Sequence, residues 1–312
     1  MGFKVLITDG LEKEGIDIIS AAGEAVDKKD IEAAELLQIV GEYDGLIVRG
    51  RTKVTKEVFD AARNLKVVGR AGVGVDNIDL EAAKAHGVTV VNAPTATTIA
   101  VAELGFGMML ALVRDIPHTD AAMKQGKWTK KDYMGTELHG KTLGIVGYGN
   151  IGSTIGRYAQ ALGMKVICHD PLRNPDEIRA TGAEPEQLDD IYTQADIITF
   201  HVPLTPETKH MVSDETFTKM KDGVLLVNVA RGGIIEEAAL LRALESGKVA
   251  GAALDVYEKE PPVDWTLVRH PKVIAVPHIG GQTKEAQTRV AIDIASEVMN
   301  VLQGNKLRWK IC

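Results

Sequence analysis

At 312 residues, 45% of them hydrophobic, the chain is long enough for two domains with sizeable cores. Its formal net charge of −7 argues against a nucleic-acid partner, because phosphate backbones are met by basic faces. The acidic balance leaves an anionic small molecule open, since a few placed arginines can dominate one cleft.

The first six residues lack the Ser or Thr that ends a myristoylation signal, and they run straight into a strand pattern, unlike a cleavable leader. Segments Lys4–Thr8, Gly45–Arg49, Val67–Arg70 and Val88–Asn92 read as strands separated by amphipathic stretches. After the third, Gly72-Val73-Gly74-Val75-Asp76-Asn77 imitates a dinucleotide fingerprint but carries Asn at the third glycine position. It reads as a substrate-facing loop whose backbone N–H groups can bind an anion such as a carboxylate. Thr97–Val113 is a nearly unbroken apolar helix, expected to be buried at a seam between domains. Its apolar run is too short to span a bilayer, so no membrane association and a cytoplasmic location are expected.

A second series follows, with strands at Thr142–Val146, Lys165–Asp170, Ile197–His201, Val224–Val229, Gly251–Val256 and Val273–Val276. Apolar strands alternating with helices are the pattern of parallel sheets covered on both faces. The only cysteines, Cys168 in one of these strands and Cys312, offer neither a disulfide framework nor a metal cluster. Lys284–Gln303 is the other long helical pattern. If the two long helices are the crossings between domains, the expected division is 1–96 plus 284–312 around 97–283. The fold class is α/β, two doubly wound parallel-sheet domains with one inserted into the other.

Gly147-Tyr148-Gly149-Asn150-Ile151-Gly152 directly follows a strand and opens a helix. A lone pattern of this kind is weak, but the strand before, the helix after and Asp170 ending the next strand all agree. The glycines allow a tight turn, close approach of backbone to a pyrophosphate, and helix–strand packing. The helix N-terminus favours the diphosphate charge. Asp170 is placed to accept from ribose hydroxyls and to repel a 2′-phosphate, which selects NAD over NADP.

Three later strands end in unusual polar residues: Arg231 after Val227-Asn228-Val229-Ala230, Asp255 and Glu260 at and after the end of another strand, and His278 after Val276-Pro277. Ligands bind beyond the carboxyl ends of strands in open α/β sheets, so these should converge. Oxidation of a secondary alcohol needs a base for the hydroxyl proton, and histidine titrates nearest neutrality. A carboxylate partner raises the histidine pKa, and an arginine binds a substrate carboxylate and polarises the reacting oxygen. The expected roles are His278 as acid/base, Glu260 as its partner and Arg231 as anchor, with Glu258 a solvated neighbour.

Together with Gly69–Asn77, Gly126–Trp128, Met134–Leu138, Gly140–Ile145, Asn228–Ile234, Ala253–Pro262 and Pro277–Gly281, these segments resemble the D-isomer-specific 2-hydroxyacid dehydrogenase family over essentially the whole chain. The resemblance implies a Rossmann NAD domain inserted into a flavodoxin-like substrate domain. It implies a hinge that closes over substrate and a homodimer joined through the NAD domain. It also implies NAD contacts at Gly147, Gly149, Asn150, Ile151, Gly152, Asp170, His201, Val202, Pro203, Val229, Ala230, Asp255, His278 and Gly280, with Asp255 facing the nicotinamide amide. Substrate contacts are implied at Arg49, Arg70, Val73, Gly74 and Arg231, and the spacing of Arg51 suggests a further contribution to a phosphate field.

The expected substrate is D-3-phosphoglycerate, oxidised to 3-phosphohydroxypyruvate for serine synthesis. A glyoxylate or hydroxypyruvate reductase is the alternative, and an NAD-sensing, corepressor-like binding protein a remote third. Departures from the family pattern are Ala96-Thr97-Thr98, where a Gly-Asn-Ser type segment is common, and Val73 in place of a threonine. With the sequence ending at Cys312, serine feedback through an appended regulatory module is not expected.

Overall fold

The computed structural model describes residues 2–312; Met1, where the expected first domain begins, lies outside them. Two compact units emerge, one running up to Thr97 and resuming at Gly281–Cys312, the other Thr98–Gly280. The first unit opens with β1 (Phe3–Ile7), α1 (Lys13–Ser20), β2 (Gly23–Asp27), α2 (Ala33–Ile39), β3 (Gly45–Val48), α3 (Lys56–Ala61), β4 (Val67–Arg70), α4 (Leu80–Ala85) and β5 (Thr89–Asn92). The second contains α5 (Thr98–Val113), α6 (Ile116–Lys124), β6 (Thr142–Val146), α7 (Asn150–Ala161), β7 (Lys165–His169), α8 (Pro175–Arg179), β8 (Glu184–Pro185) and α9 (Leu188–Gln194). It continues with β9 (Ile197–Phe200), α10 (Asp214–Lys219), β10 (Val224–Asn228), α11 (Glu237–Ser246), β11 (Val249–Leu254) and β12 (Val273–Ala275). The chain then returns to the first unit as α12 (Lys284–Gln303).

Both sheets are parallel throughout. The first has the order β2-β1-β3-β4-β5, the flavodoxin-like arrangement; the second has β12-β11-β10-β9-β6-β7-β8, the Rossmann order with a seventh strand added at one edge. Central strands such as β3 and β9 are buried at every position, as strands covered on both faces must be. Two edge strands, β2 and β8, escaped the sequence reading. β2 reads Gly-Glu-Ala-Val-Asp and is half exposed, and β8 is two residues long, so neither carries an apolar run.

The expectation for α5 needs correction. The helix is not buried on all sides: Ile99, Glu103, Gly107 and Leu110 form an exposed stripe, spaced by one turn of helix. Its other face packs in the second unit, where Gly105 admits the Val229 and Ile155 side chains. An evenly apolar helix hides which face meets solvent, because the sequence carries no polar face to mark it. No described helix is long and apolar enough to cross a membrane.

In the first unit α12 lies against β4, where Gly69 provides the close approach; a Cβ there would sit 2.6 Å from Val298 Cγ2. The final residues pair antiparallel with β5, Ile311 N–H donating to Val90 O at 2.8 Å. Glu297 on α12 is fully buried and fastens this tail, accepting from the backbone N–H groups of Arg308 (2.9 Å) and Trp309 (3.1 Å). Glu297→Ala leaves those two donors without their acceptor. It should lower the free energy of urea-induced unfolding by about 2 kcal/mol, since hydrogen bonds to charged groups are worth roughly 1.5–3 kcal/mol. An unchanged urea midpoint would show that the tail adds nothing to stability.

Candidate active site

Parallel pairing sends the chain out of every strand on the same edge of the seven-stranded sheet. The strand order therefore sets the segments in a row: His278 after β12, Glu260 after β11, Arg231 after β10, His201 after β9, the glycine turn after β6 and Asp170 after β7.

At the nucleotide end each glycine has a separate duty. Gly147 turns at φ +91°, a conformation that side chains resist, and a Cβ on it would lie 2.7 Å from the His201 carbonyl group. A Cβ on Gly149 would meet nothing, so this backbone is open to a ligand. Gly152 brings α7 onto the turn; its Cβ would be 2.1 Å from Gly147 O. Asn150 is exposed and Ile151 half-buried in the first turn of α7. Asp170 braces the turn from β7, accepting from Tyr148 N–H at 2.8 Å and Leu172 N–H at 3.0 Å.

Next in the row, the His201 ring lies against Thr199 Oγ1, at 2.9 Å from Nε2, while its buried Nδ1 has no hydrogen-bond partner in the protein. Burial pushes its pKa down to about 3, so the imidazole is neutral. Val202 packs beside Gly147, and Pro203 is exposed. An open glycine backbone, a helix N-terminus and a buried unpaired ring nitrogen together fit a bound dinucleotide. Val229 and Gly280 are buried.

The catalytic end is held by backbone. Asn228, a lone amide ending an apolar strand, donates from Nδ2 to Arg231 O at 2.9 Å and accepts from Ala230 N–H at 3.1 Å. The sequence reading gave it no role, though a polar residue closing a buried strand was a usable signal. Gly232 packs so tightly on the next loop that a Cβ would fall 1.7 Å from Tyr257 O. Asp255 is 1% exposed, and its carboxylate accepts from Ile279 N–H (2.6 Å) and Gly280 N–H (2.9 Å). Its carbonyl accepts from His278 N–H at 2.9 Å, fixing a loop in which His278 takes φ +52°. Burial raises the Asp255 carboxyl above its usual range, and the two N–H donors oppose that rise.

His278 Nδ1 lies 2.6 Å from Glu260 Oε2, and Glu260 Oε1 accepts from Tyr257 N–H at 3.1 Å. The Glu260 bond raises the His278 pKa above 6.5 against the lowering effect of burial; Asp255 adds to the rise and Arg231 opposes it. Burial pulls the Glu260 carboxyl up, but its bond to His278 and the charges of His278 and Arg231 outweigh this and leave it below the ordinary range. The raised histidine sets the sign of the linkage. The histidine's contribution is full below its unfolded value of 6.5 and is lost as pH rises through the higher folded value, while the lowered Glu260 contributes above its unfolded value of 4.5 and is lost as pH falls through the lower folded value.

The substrate candidates of the first unit divide in two. Arg49 is engaged on all sides, by Gln287, by Glu12 at 2.6 Å and by Gly10 O at 3.1 Å. Arg51, expected to add to a phosphate field, pairs with Asp9 at 3.1 Å and donates to Thr8 O (2.9 Å) and Ile31 O (3.0 Å). Arg70 lies over Gly72, whose φ of +142° and whose space beneath the guanidinium admit only glycine. Val73 is exposed and Gly74 half-buried in the loop that follows.

Residues 106–280 match the D-isomer specific 2-hydroxyacid dehydrogenase, NAD binding domain. The chain belongs to this family. It is 49% identical over 303 residues to D-3-phosphoglycerate dehydrogenase 2, chloroplastic, of Arabidopsis thaliana, covering 96% of this chain and 49% of that one. The chain thus spans about half the length of the curated relatives it matches. A crystal structure of a glyoxylate reductase from Paecilomyes thermophila superposes with TM-score 0.92 at 30% identity, covering 99% of this chain and 98% of the other. A D-lactate dehydrogenase from Aquifex aeolicus complexed with NAD and lactic acid gives TM-score 0.87 at 29% identity, covering 96% of each. NAD is therefore the cofactor of this 2-hydroxyacid dehydrogenase domain. Glu260→Gln removes the charge behind His278, so the ring pKa read by NMR should fall towards 6.5. A ring pKa unmoved by the substitution would mean that the carboxylate does not set it.

Proposed function

We propose that the chain oxidises D-3-phosphoglycerate to 3-phosphohydroxypyruvate with NAD, a first step of serine synthesis. The observation that carries the reading is the His278–Glu260 contact of 2.6 Å, in one row with Arg231 and the dinucleotide turn. NAD, when bound, accepts the hydride from C2 of the acid. With Nδ1 turned to Glu260, His278 offers Nε2 to the C2 hydroxyl and takes its proton. Glu260 stabilises the imidazolium that results, and the same imidazolium returns the proton in the reducing direction. Arg231 binds the substrate carboxylate and polarises the developing carbonyl oxygen. Asp170 accepts the adenosine ribose hydroxyls and disfavours a 2′-phosphate. Asn150, Ile151, Val202, Pro203 and the backbone of Val229, Ala230 and Gly280 line the nucleotide.

In this reading the Thr98–Gly280 unit holds NAD, and the first unit supplies the substrate loops through Arg70 and the N–H groups of Val73 and Gly74. The similarity to phosphoglycerate dehydrogenases supports the phosphorylated acid. The pairing of Arg49 with Glu12 and of Arg51 with Asp9 favours the second reading, an unphosphorylated acid such as glyoxylate or hydroxypyruvate. A cytoplasmic site of action fits two cysteines that are free in the fold.

A substrate panel followed by nicotinamide absorbance decides between the two. The expected result is a kcat/KM at least about tenfold higher for the phosphorylated acid, equivalent to ~1.4 kcal/mol. Equal rates on hydroxypyruvate would transfer the assignment to the second reading. His278→Ala should lower kcat by about a thousandfold while NAD affinity holds. A variant with near-normal kcat at neutral pH would mean another group takes the proton.

A homodimer through the NAD-binding unit is part of the proposal. Ile99 and Leu110 on α5, Ile116 and Met123 on α6, and Trp128 (77% exposed) and Met134 (93%) in the following loop are apolar surface. That loop returns to α5 where Thr136 N–H donates to Val113 O at 2.9 Å. Large exposed apolar patches mark interaction sites. Trp128→Glu should convert the dimer to monomer in sedimentation analysis; a wild-type monomer at micromolar concentration would remove this part.

A further inference from the structure

Two carboxylates and a histidine clasp the catalytic loops from behind. Glu258 N–H donates to Glu237 Oε1 at 2.7 Å, and Glu237 N–H, at the start of α11, donates to Glu258 Oε1 at 3.0 Å. His210 Nε2 lies 3.2 Å from that same Glu258 oxygen. The backbone N–H of His210 donates to Gly233 O at 2.7 Å, and His210 takes φ +53°, in the left-handed region rarely held by a residue with a side chain. The pairing continues along the segment, with Val212 N–H on Ile234 O and Glu236 N–H on Val212 O.

The two loops so tied are those of Arg231 and Glu260. Successive N–H groups of one loop do different work: that of Tyr257 holds the Glu260 carboxylate, and that of Glu258 is held by Glu237. Glu258 is thus no solvated bystander, although its side chain is partly exposed. Glu237 is half-buried beside it, and Asp264 is the further charge acting on Glu237.

We propose that Glu258, clasped by Glu237 and His210, is a positioning residue for the dehydrogenase reaction. Its carboxylate ties the loop of Glu260 to the start of α11 and to His210 beside the Gly232-Gly233 turn, one peptide on from the Tyr257 N–H that holds Glu260 towards His278. The inference rests on the catalytic roles given to Glu260 and His278 above. A shift of the Glu260 oxygen by a fraction of an ångström changes its hydrogen bond to the imidazole and so the proton transfer, while nucleotide binding at the other end of the row is untouched.

The test compares Glu258→Ala, Glu258→Gln and His210→Gln with wild type, alone and in a Glu260→Gln background. Glutamine keeps the acceptor that Glu237 N–H needs; alanine does not. The expected result for Glu258→Ala is a kcat about tenfold lower with KM and NAD affinity within about twofold, most of the rate returning in Glu258→Gln. The His278 ring pKa, read by NMR, should fall in the alanine variant. On the Glu260→Gln background the alanine change should have no further effect. A multiplicative loss on that background, or an unmoved ring pKa, would overturn the proposal. If Glu258→Ala does not fold, His210→Gln carries the same comparison. The ring pKa needs no turnover, so an inactive wild type would sink the functional reading alone and leave the clasp to be decided by NMR.

Discussion

Parallel pairing is the constraint on which the site depends. In an antiparallel sheet the loops after successive strands alternate between edges, and residues 147, 231, 260 and 278 would be divided between the two ends. In this sheet all seven strands run one way, so the loop after each opens on one edge. The order β12-β11-β10-β9-β6-β7 then sets segments as distant in the chain as Gly147 and His278 along one edge. The proposed catalytic groups fall at one end of the row and the proposed nucleotide groups at the other.

The electrostatics follow from how that edge is fastened. Asp255 uses both carboxylate oxygens on backbone N–H groups and its own carbonyl on a third, so it fixes where His278 begins. Its charge also raises the imidazole pKa, against Arg231 and against burial. Glu260 makes the remaining adjustment through direct contact. Three charged neighbours of different sign and distance thus set one titration. In the proposed reaction the histidine both takes and returns a proton, and a pKa raised from 6.5 by a removable contact suits that double duty.

How much of this could be read from the sequence depends on what each residue's environment leaves in the chain. Gly147, Gly149 and Gly152 were legible because their spacing repeats a geometric need: a positive φ, an open backbone and a helix pressed on a carbonyl. Arg231, Glu260 and His278 stand out in the sequence because each is a polar residue in the loop that follows an apolar strand. β2 and β8 were not, since edge strands bury little and so leave no apolar run. The exposed stripe of α5 was hidden for the opposite reason, its outward positions being as apolar as its inward ones. Glu258 was misjudged because its engagement is with backbone, and backbone donors leave no mark in a sequence.

The arginines of the first unit show a different limit. Arg49 and Arg51 look like an anion site because spacing reports charge on one strand's end and nothing about the next strand over. In the sheet β1 lies beside β3, so the loop carrying Asp9 and Glu12 emerges next to the loop carrying both arginines. Each guanidinium there meets a carboxylate, and the corner is close to neutral. In the proposed reaction, a substrate phosphate at this corner would displace a carboxylate that is already paired, or would bind at Arg70 and the backbone of the Gly72 turn instead. Displacement trades one anion for another and gains only their difference. In the proposed reaction, discrimination between a phosphorylated and an unphosphorylated acid would then draw on Arg70 and the backbone of that turn.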